Sequence, residues 1–234
     1  MISAINGTAR DPAGRAGSSA DRPVRSSGIL IQLVGTRGKE ELLRETPHVE
    51  FEDMAAVFRL IIRETGGEDG GLTSVLVTGD VALRLGKSAD ELYEEAISAL
   101  TGSAPVQIMD LRAVLEGEGG FVLPDEAGEP PMFVLTTEKR VYGASSLLYP
   151  GALEMLSEMA GGSVFLLPSS VHEFIALRDD GNSDAAELGR MVCDINRSVV
   201  SPEERLTDSV YRYDARTGRF SRVWPLSDCS LSPV

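Results

Sequence analysis

The stretch VFLLPSSVHEFIAL, residues 164–177, decides how this chain folds. Two strand-like runs, VFLL and EFIAL, flank a proline and two serines. Proline fixes φ and cannot donate to a ladder, and serine hydroxyls bond nearby backbone, so PSSVH reads as a turn between antiparallel strands. The expected pairing sets residues 163–167 against 173–177. A competing reading takes Ser170, His172 and Glu173 as the catalytic cluster of a hydrolase-like enzyme. On an extended strand Ser170 and His172 share a face, within hydrogen-bonding reach. A hydrolase also needs an oriented third group, an oxyanion hole and usually a G-x-S-x-G elbow, and no such elbow surrounds Ser169 or Ser170. The turn is therefore the favoured reading, with His172 ordering it. The choice matters because His48 and His172 are the chain's two histidines.

Working outward, MFVLTT (132–137), SVYRY (209–213) and RFSRVW (219–224) read as further strands. DMAAVFRLIIRE (53–64) and LTSVLVT (72–78), separated by TGGEDGG, read as another hairpin. The first of these runs is nearly all apolar, and periodicity leaves it open between strand and helix. Helices are clearer. SADELYEEAISAL (88–100) opens with a capping box, Ser88 with Glu91, and lines Leu92, Ala96 and Leu100 on one face. Residues 150–161 start with Pro150 at a first-turn position and stop at Gly161. SDAAELGRMVCDINRSVV (183–200) puts Leu188, Met191, Val192, Ile195 and Val199 along one stripe, with Leu188, Met191, Val192 and Ile195 expected to be buried. Hairpins mixed with single amphipathic helices indicate an α+β fold with a largely antiparallel sheet.

Sixteen of the first 28 residues are Gly, Ser, Ala or Pro without apolar periodicity, which reads as a disordered lead. The end, residues 225–234, reads as a flexible tail. One α+β domain is expected over 29–224. Its halves, 29–116 and 131–224, are joined by a Gly-, Pro- and acid-rich loop at 117–130.

Three motifs resolve into ordinary structure. GKS at 86–88 lacks the glycine that a phosphate loop needs five residues before Gly86, where Val81 stands, and Ser88 is already a helix cap. Asp180, Asn182 and Asp184 have calcium-loop spacing, but Ala185 and Met191 occupy the positions of the loop's glycine and bidentate glutamate. A polar loop capping the next helix explains them. Cys193 and Cys229 stand apart, with neither a zinc pattern nor a disulfide framework. No cofactor and no metal is expected.

The net charge is -14, and the first 28 residues, with four arginines against two aspartates, carry +2, leaving −16 on the rest. A body of that sign repels nucleic acid, so none is expected as partner. No apolar run approaches the ~20 residues of a membrane span, and the N-terminus has no apolar signal core. The expected location is the cytoplasm, with no membrane partner.

Four strings carry a resemblance: RGKEELLRETPHVEFEDMAAVF (37–58), MFVLTTEKRVYGASSLLYP (132–150), VFLLPSSVHEFIAL (164–177) and INRSVVSPEERLTDSVYRYD (195–214). They resemble a bacterial family known as domain of unknown function 5688, over most of residues 31–214. The chain departs from that pattern at Leu85, where tryptophan is expected, and at Thr137, where asparagine is. More distantly it is similar to another uncharacterised bacterial family with the same hairpin–helix–hairpin order. The resemblance implies an α+β domain and supplies no activity. The first expectation is a non-enzymatic protein-binding or regulatory module, with mobile-element accessory or partner-neutralising roles in view. The alternative is the hydrolase-like enzyme built on Ser170, His172 and Glu173.

Overall fold

The run Met54–Glu64 is a strand, β4, and the first sheet is built around it. The computed structural model describes residues 8–10, 28–64, 72–103, 105–119 and 131–225. The chain divides into two compact units, between Pro105 and Val106.

In the first unit, β1 (Thr8–Arg10), β2 (Ile29–Gly35), β3 (His48–Phe51) and β5 (Leu72–Leu76) join β4. One edge of β4 pairs with β2 along Met54–Leu60. The other pairs first with β3, along Met54–Val57, then with β5, along Arg59–Glu64. All these pairings are antiparallel. Alternation sends Val34, Ala55 and Val57 to one face, under Leu42 and Leu43 of helix α1 (Glu40–Glu45). The opposite face carries Ile31, Leu33, Met54, Ala56 and Phe58, all buried. There α3 (Ala89–Ser103) packs on β2, β3 and β4 with Leu92, Ala96 and Leu100 buried. Covering on both faces explains why this central strand reads as continuous apolar sequence rather than as an alternating one. The short helix α2 (Gly79–Leu85) ends on Gly86, at φ 65, whose left-handed conformation suits glycine. The capping box then forms as expected: the Ser88 N–H donates to Glu91 Oε2 at 2.9 Å and the Glu91 N–H to Ser88 Oγ at 3.3 Å.

The second unit is one antiparallel sheet. Its strands are β6 (Val106–Asp110), β7 (Met132–Thr137), β8 (Val164–Ser170), β9 (Glu173–Arg178), β10 (Val210–Asp214) and β11 (Arg219–Trp224), in spatial order β11-β10-β8-β9-β7-β6. Helix α4 (Leu111–Gly119) follows β6, α5 (Ala152–Ala160) precedes β8, and α6 (Ala185–Ser198) follows β9. One face, with Phe165, Leu167, Leu177 and Val210, packs on Leu188 and Val192 of α6. The other face carries Val164, Leu166, Phe174, Tyr211 and Phe220. Phe174 meets Tyr211 edge-on at 6.2 Å, and Tyr211 stacks on Phe220 at 5.3 Å. Glu154 of α5 reaches Tyr213, which places α5 on this second face; burial first, and then Glu154, pushes the Tyr213 phenol up.

Several expectations change here. Thr8–Arg10, within the expected disordered lead, adds a strand to β3 with Ala9 opposite Val49; the rest of residues 1–27 lie outside the described residues. The division falls at 105/106 rather than within the 117–130 loop, because β6 pairs with β7 through Ile108 opposite Leu135. Residues 120–130 and 226–234 lie outside the described residues. Pro150 stands before the helix it was expected to begin, since Gly151 takes the cap position of α5.

The stripe on α6 is the larger correction. Leu188 and Val192 are buried, but Met191, Ile195 and Val199 are 49%, 45% and 77% exposed. The buried arc runs instead through Gly189, Cys193 and Asn196. A Cβ at Gly189 would lie 2.1 Å from the Trp224 ring, so glycine lets the helix seat against β11. Asn196 is buried because its Nδ2 donates to Thr207 O at 3.0 Å and Asp208 Oδ1 at 2.7 Å.

Candidate functional site

Two places carry the chemistry or surface that a function needs: the tip of the β8–β9 hairpin and the outer side of α6.

The hairpin forms with Val164 opposite Arg178, Leu166 opposite Ala176 and Pro168 opposite Phe174, then shifts register between Pro168 and Ser170. The shift leaves Val171 and His172 at the tip. Ser170 Oγ accepts the backbone N–H of His172 at 3.0 Å, a local turn bond, so its hydroxyl meets the main chain of His172 and not the ring. Ser169 Oγ donates to Glu173 Oε1 at 3.3 Å. The fold thus gathers Ser170, His172 and Glu173 within the turn without forming a serine–imidazole bond between them.

The ring of His172 faces elsewhere. Its Nδ1 accepts the Tyr142 N–H at 3.1 Å, and its plane stacks on the Tyr142 ring at 5.9 Å and 18°. An Nδ1 that accepts carries no proton, so the neutral ring holds its hydrogen on Nε2, which lies 3.8 Å from Glu204 Oε1. A general base needs a lone pair open to substrate, and on this ring the one available is occupied. What the tip does instead is tie distant segments together. Thr136 Oγ1 donates to His172 O at 2.8 Å, the Val171 N–H to Glu204 O at 2.8 Å, and the Ala144 N–H to Val171 O at 3.3 Å. The approach of the 3₁₀ helix Gly143–Leu148 is so close that a Cβ on Gly143 would sit 2.1 Å from Thr136 Oγ1 and 2.4 Å from His172 O. Tyr142 and Arg140, both at φ 53, are held in the left-handed region beside it. That conformation costs a residue with a Cβ roughly 1–2 kcal/mol, which the surrounding bonds offset.

Tyr142 and Glu204 are the members that sequence reasoning missed. Each lies about thirty residues from His172, at the far end of a connection whose path only the sheet order fixes. The one available signal was Gly143, directly after Tyr142. The other histidine is buried: His48 Nδ1 donates to Thr46 O at 2.8 Å, and Nε2 is 3.3 Å from Glu50 Oε1.

Elsewhere the motifs play structural parts. Asp184 caps α6 by accepting the Ala186 N–H at 2.9 Å, and Asp180 accepts the Asn182 N–H at 2.9 Å. Arg212 bridges Asp179 at 2.7 Å and Asp214 at 2.8 Å. Burial pushes the Cys193 thiol up, with the Asp208 charge adding to it, which disfavours the reactive thiolate. Among the described residues no group of three His, Cys, Asp or Glu converges as a metal site, and no helix is long and apolar enough to cross a membrane.

The second place is a surface. Met191 and Ile195 on one side of α6, and Val199 at its C-terminal cap, recur at four-residue spacing and are exposed, with Glu187, Arg190, Asp194 and Arg197 of the helix exposed as well. A row of large apolar side chains on a charged helix is an arrangement that marks contact surfaces.

These two units define an α+β protein of antiparallel sheets with a braced hairpin tip and an apolar-edged helix. The chain belongs to the family of unknown function DUF5688, whose model matches residues 20–215. No curated protein and no solved structure matches it.

Proposed function

We propose that the chain is a non-enzymatic protein-binding module of the cytoplasm, and that α6 is its contact element. The observation that carries this reading is the exposed row Met191, Ile195 and Val199, beside an adjoining buried arc that holds the helix against the sheet through Leu188 and Val192. A contact helix needs that division, because a side chain can offer apolar area to a partner only while its own helix is held by others. The engaged state of Ser170 and His172 supports the same reading, since both groups serve the turn.

A photo-crosslinking residue placed at Met191, with a second placed at Arg216 as control, tests the proposal in the cell that makes the protein. A protein adduct at position 191 and none at 216 is the expected result. No adduct at 191, or steady turnover by the purified chain on ester, phosphate or nucleic-acid substrates that disappears in both Ser170→Ala and His172→Ala, would overturn it.

A further inference from the structure

Resting on that reading, we infer that the partner of α6 is a second copy of this chain, docked with the two helices antiparallel. The argument is in the order of the charges. Along the solvent side of α6, flanking the apolar row, stand Glu187, Arg190, Asp194 and Arg197, all exposed. Their signs alternate, and they are spaced three, four and three residues apart, which keeps them on one flank of the helix. Rotate a second copy about a two-fold axis at the level of Val192. Glu187 then faces Arg197 of the second copy, Arg190 faces its Asp194, and the same two contacts repeat on the other side of the axis. All four facing pairs are opposite in sign. In a parallel two-fold arrangement the charged flank of one copy turns away from that of the other, so none of these four pairs forms. The antiparallel register also brings the exposed Met191 of each copy close to the axis, with Ile195 one turn further out. An isologous contact requires this self-complementarity of one patch.

Another exposed apolar pair provides a contrast. Met155 and Met159 of α5 are 41% and 52% exposed, yet the charges beside them, Glu154 and Glu158, are both acidic. Two copies meeting there would oppose acid to acid in either direction. On a chain of net charge -14, a mixed-sign flank such as that of α6 is where two copies can approach without that penalty.

The helix has 14 residues, about 21 Å of length at 1.5 Å per residue. One helix pair of that size sits at the lower end of specific interfaces, below roughly 1,200 Å², so the dimer should dissociate in the micromolar range. Salt should weaken it, because the pairs are at the exposed rim.

Sedimentation velocity of the full chain over about 1 to 200 μM brackets that range. The expected result is a rise from a 25.0 kDa species toward twice that mass, reversed by Met191→Asp and left unchanged by Met155→Asp. Arg190→Asp and Asp194→Arg should each abolish the rise, and the double variant should restore it, an outcome that misfolding cannot imitate. A single 25.0 kDa species at every concentration, or a dimer indifferent to these variants, overturns the inference. If that happens while the crosslinker at position 191 still captures a different polypeptide, only the identity of the partner has failed. If the crosslinker captures nothing either, the reading of α6 has failed with it.

Discussion

Replacing His172 with alanine removes the acceptor of the Tyr142 N–H and the ring stacked on Tyr142, while leaving both β8 and β9 intact. The lost bond, partly buried, is worth about 1 kcal/mol, and the stack about 0.5 kcal/mol because the ring is a third exposed. The sum of about 1.5 kcal/mol should lower the melting temperature by about 3–6 °C at the roughly 2–4 °C per kcal/mol that applies to a chain of this length. Calorimetry at neutral pH measures it. His172→Asn separates the two contributions, since its side-chain oxygen stands close to the place of Nδ1. The expected asparagine variant recovers the bond but not the stack, so its melting temperature falls between the other two. An alanine variant as stable as the wild type would refute the bracing role. So would an asparagine variant no better than alanine, which would remove the Tyr142 bond from the account.

Four further outcomes are expected. Gly143→Ala must displace the Thr136 hydroxyl and the His172 carbonyl, at about 3 kcal/mol or more, and urea titration should show a midpoint lower than that of His172→Ala. Met191→Asp should fold with stability within about 0.5 kcal/mol of wild type, whereas Val192→Asp, one residue on, should fail to fold cooperatively because it buries an unpaired carboxylate. Gly189→Ala should change the emission of Trp224, the chain's single tryptophan, because the new methyl group meets the indole ring. Arg212 first, with the N–H groups of Thr217 and Arg216, holds the Asp214 carboxyl below the usual range. Its folded value lies under its unfolded one, near ~4, so its stabilisation is complete above that pH and lost as pH falls through the folded value. Asp214→Asn should therefore melt lower than wild type at pH ~7, and the difference should shrink below pH ~4.

The hairpin was legible because its cues are local: β-rich runs, and a proline and two serines beside the turn, where the register shifts after Pro168 and Ser170 bonds the adjacent main chain. The same holds for the Ser88–Glu91 capping box and for Gly161, which closes α5 at φ 73. The face of α6 was not legible. Apolar spacing nominated Met191 and Ile195, but what seats the helix is the contact of Gly189 with Trp224 and the bonds of Asn196 to residues 207 and 208, all set by neighbours distant in sequence. A glycine and an asparagine do not announce a buried face. The Tyr142–His172–Glu204 brace was hidden for a related reason, because sheet order alone brings those segments together. Strand β6 shows the same limit. VQIMD is a short run beside a Gly- and Pro-rich stretch, and its place follows only from its partner β7.

Methionine oxidation tests the role of α6 most directly, since peroxide reaches thioethers in proportion to their exposure. Met155, Met159 and Met191 are all about half exposed and serve as one another's controls. In dilute purified protein the three should oxidise at similar rates. In concentrated protein and inside the cell, Met191 should become protected several-fold while Met155 and Met159 stay reactive. Equal oxidation of all three under every condition would mean that nothing covers α6, and the binding role assigned to it would be wrong.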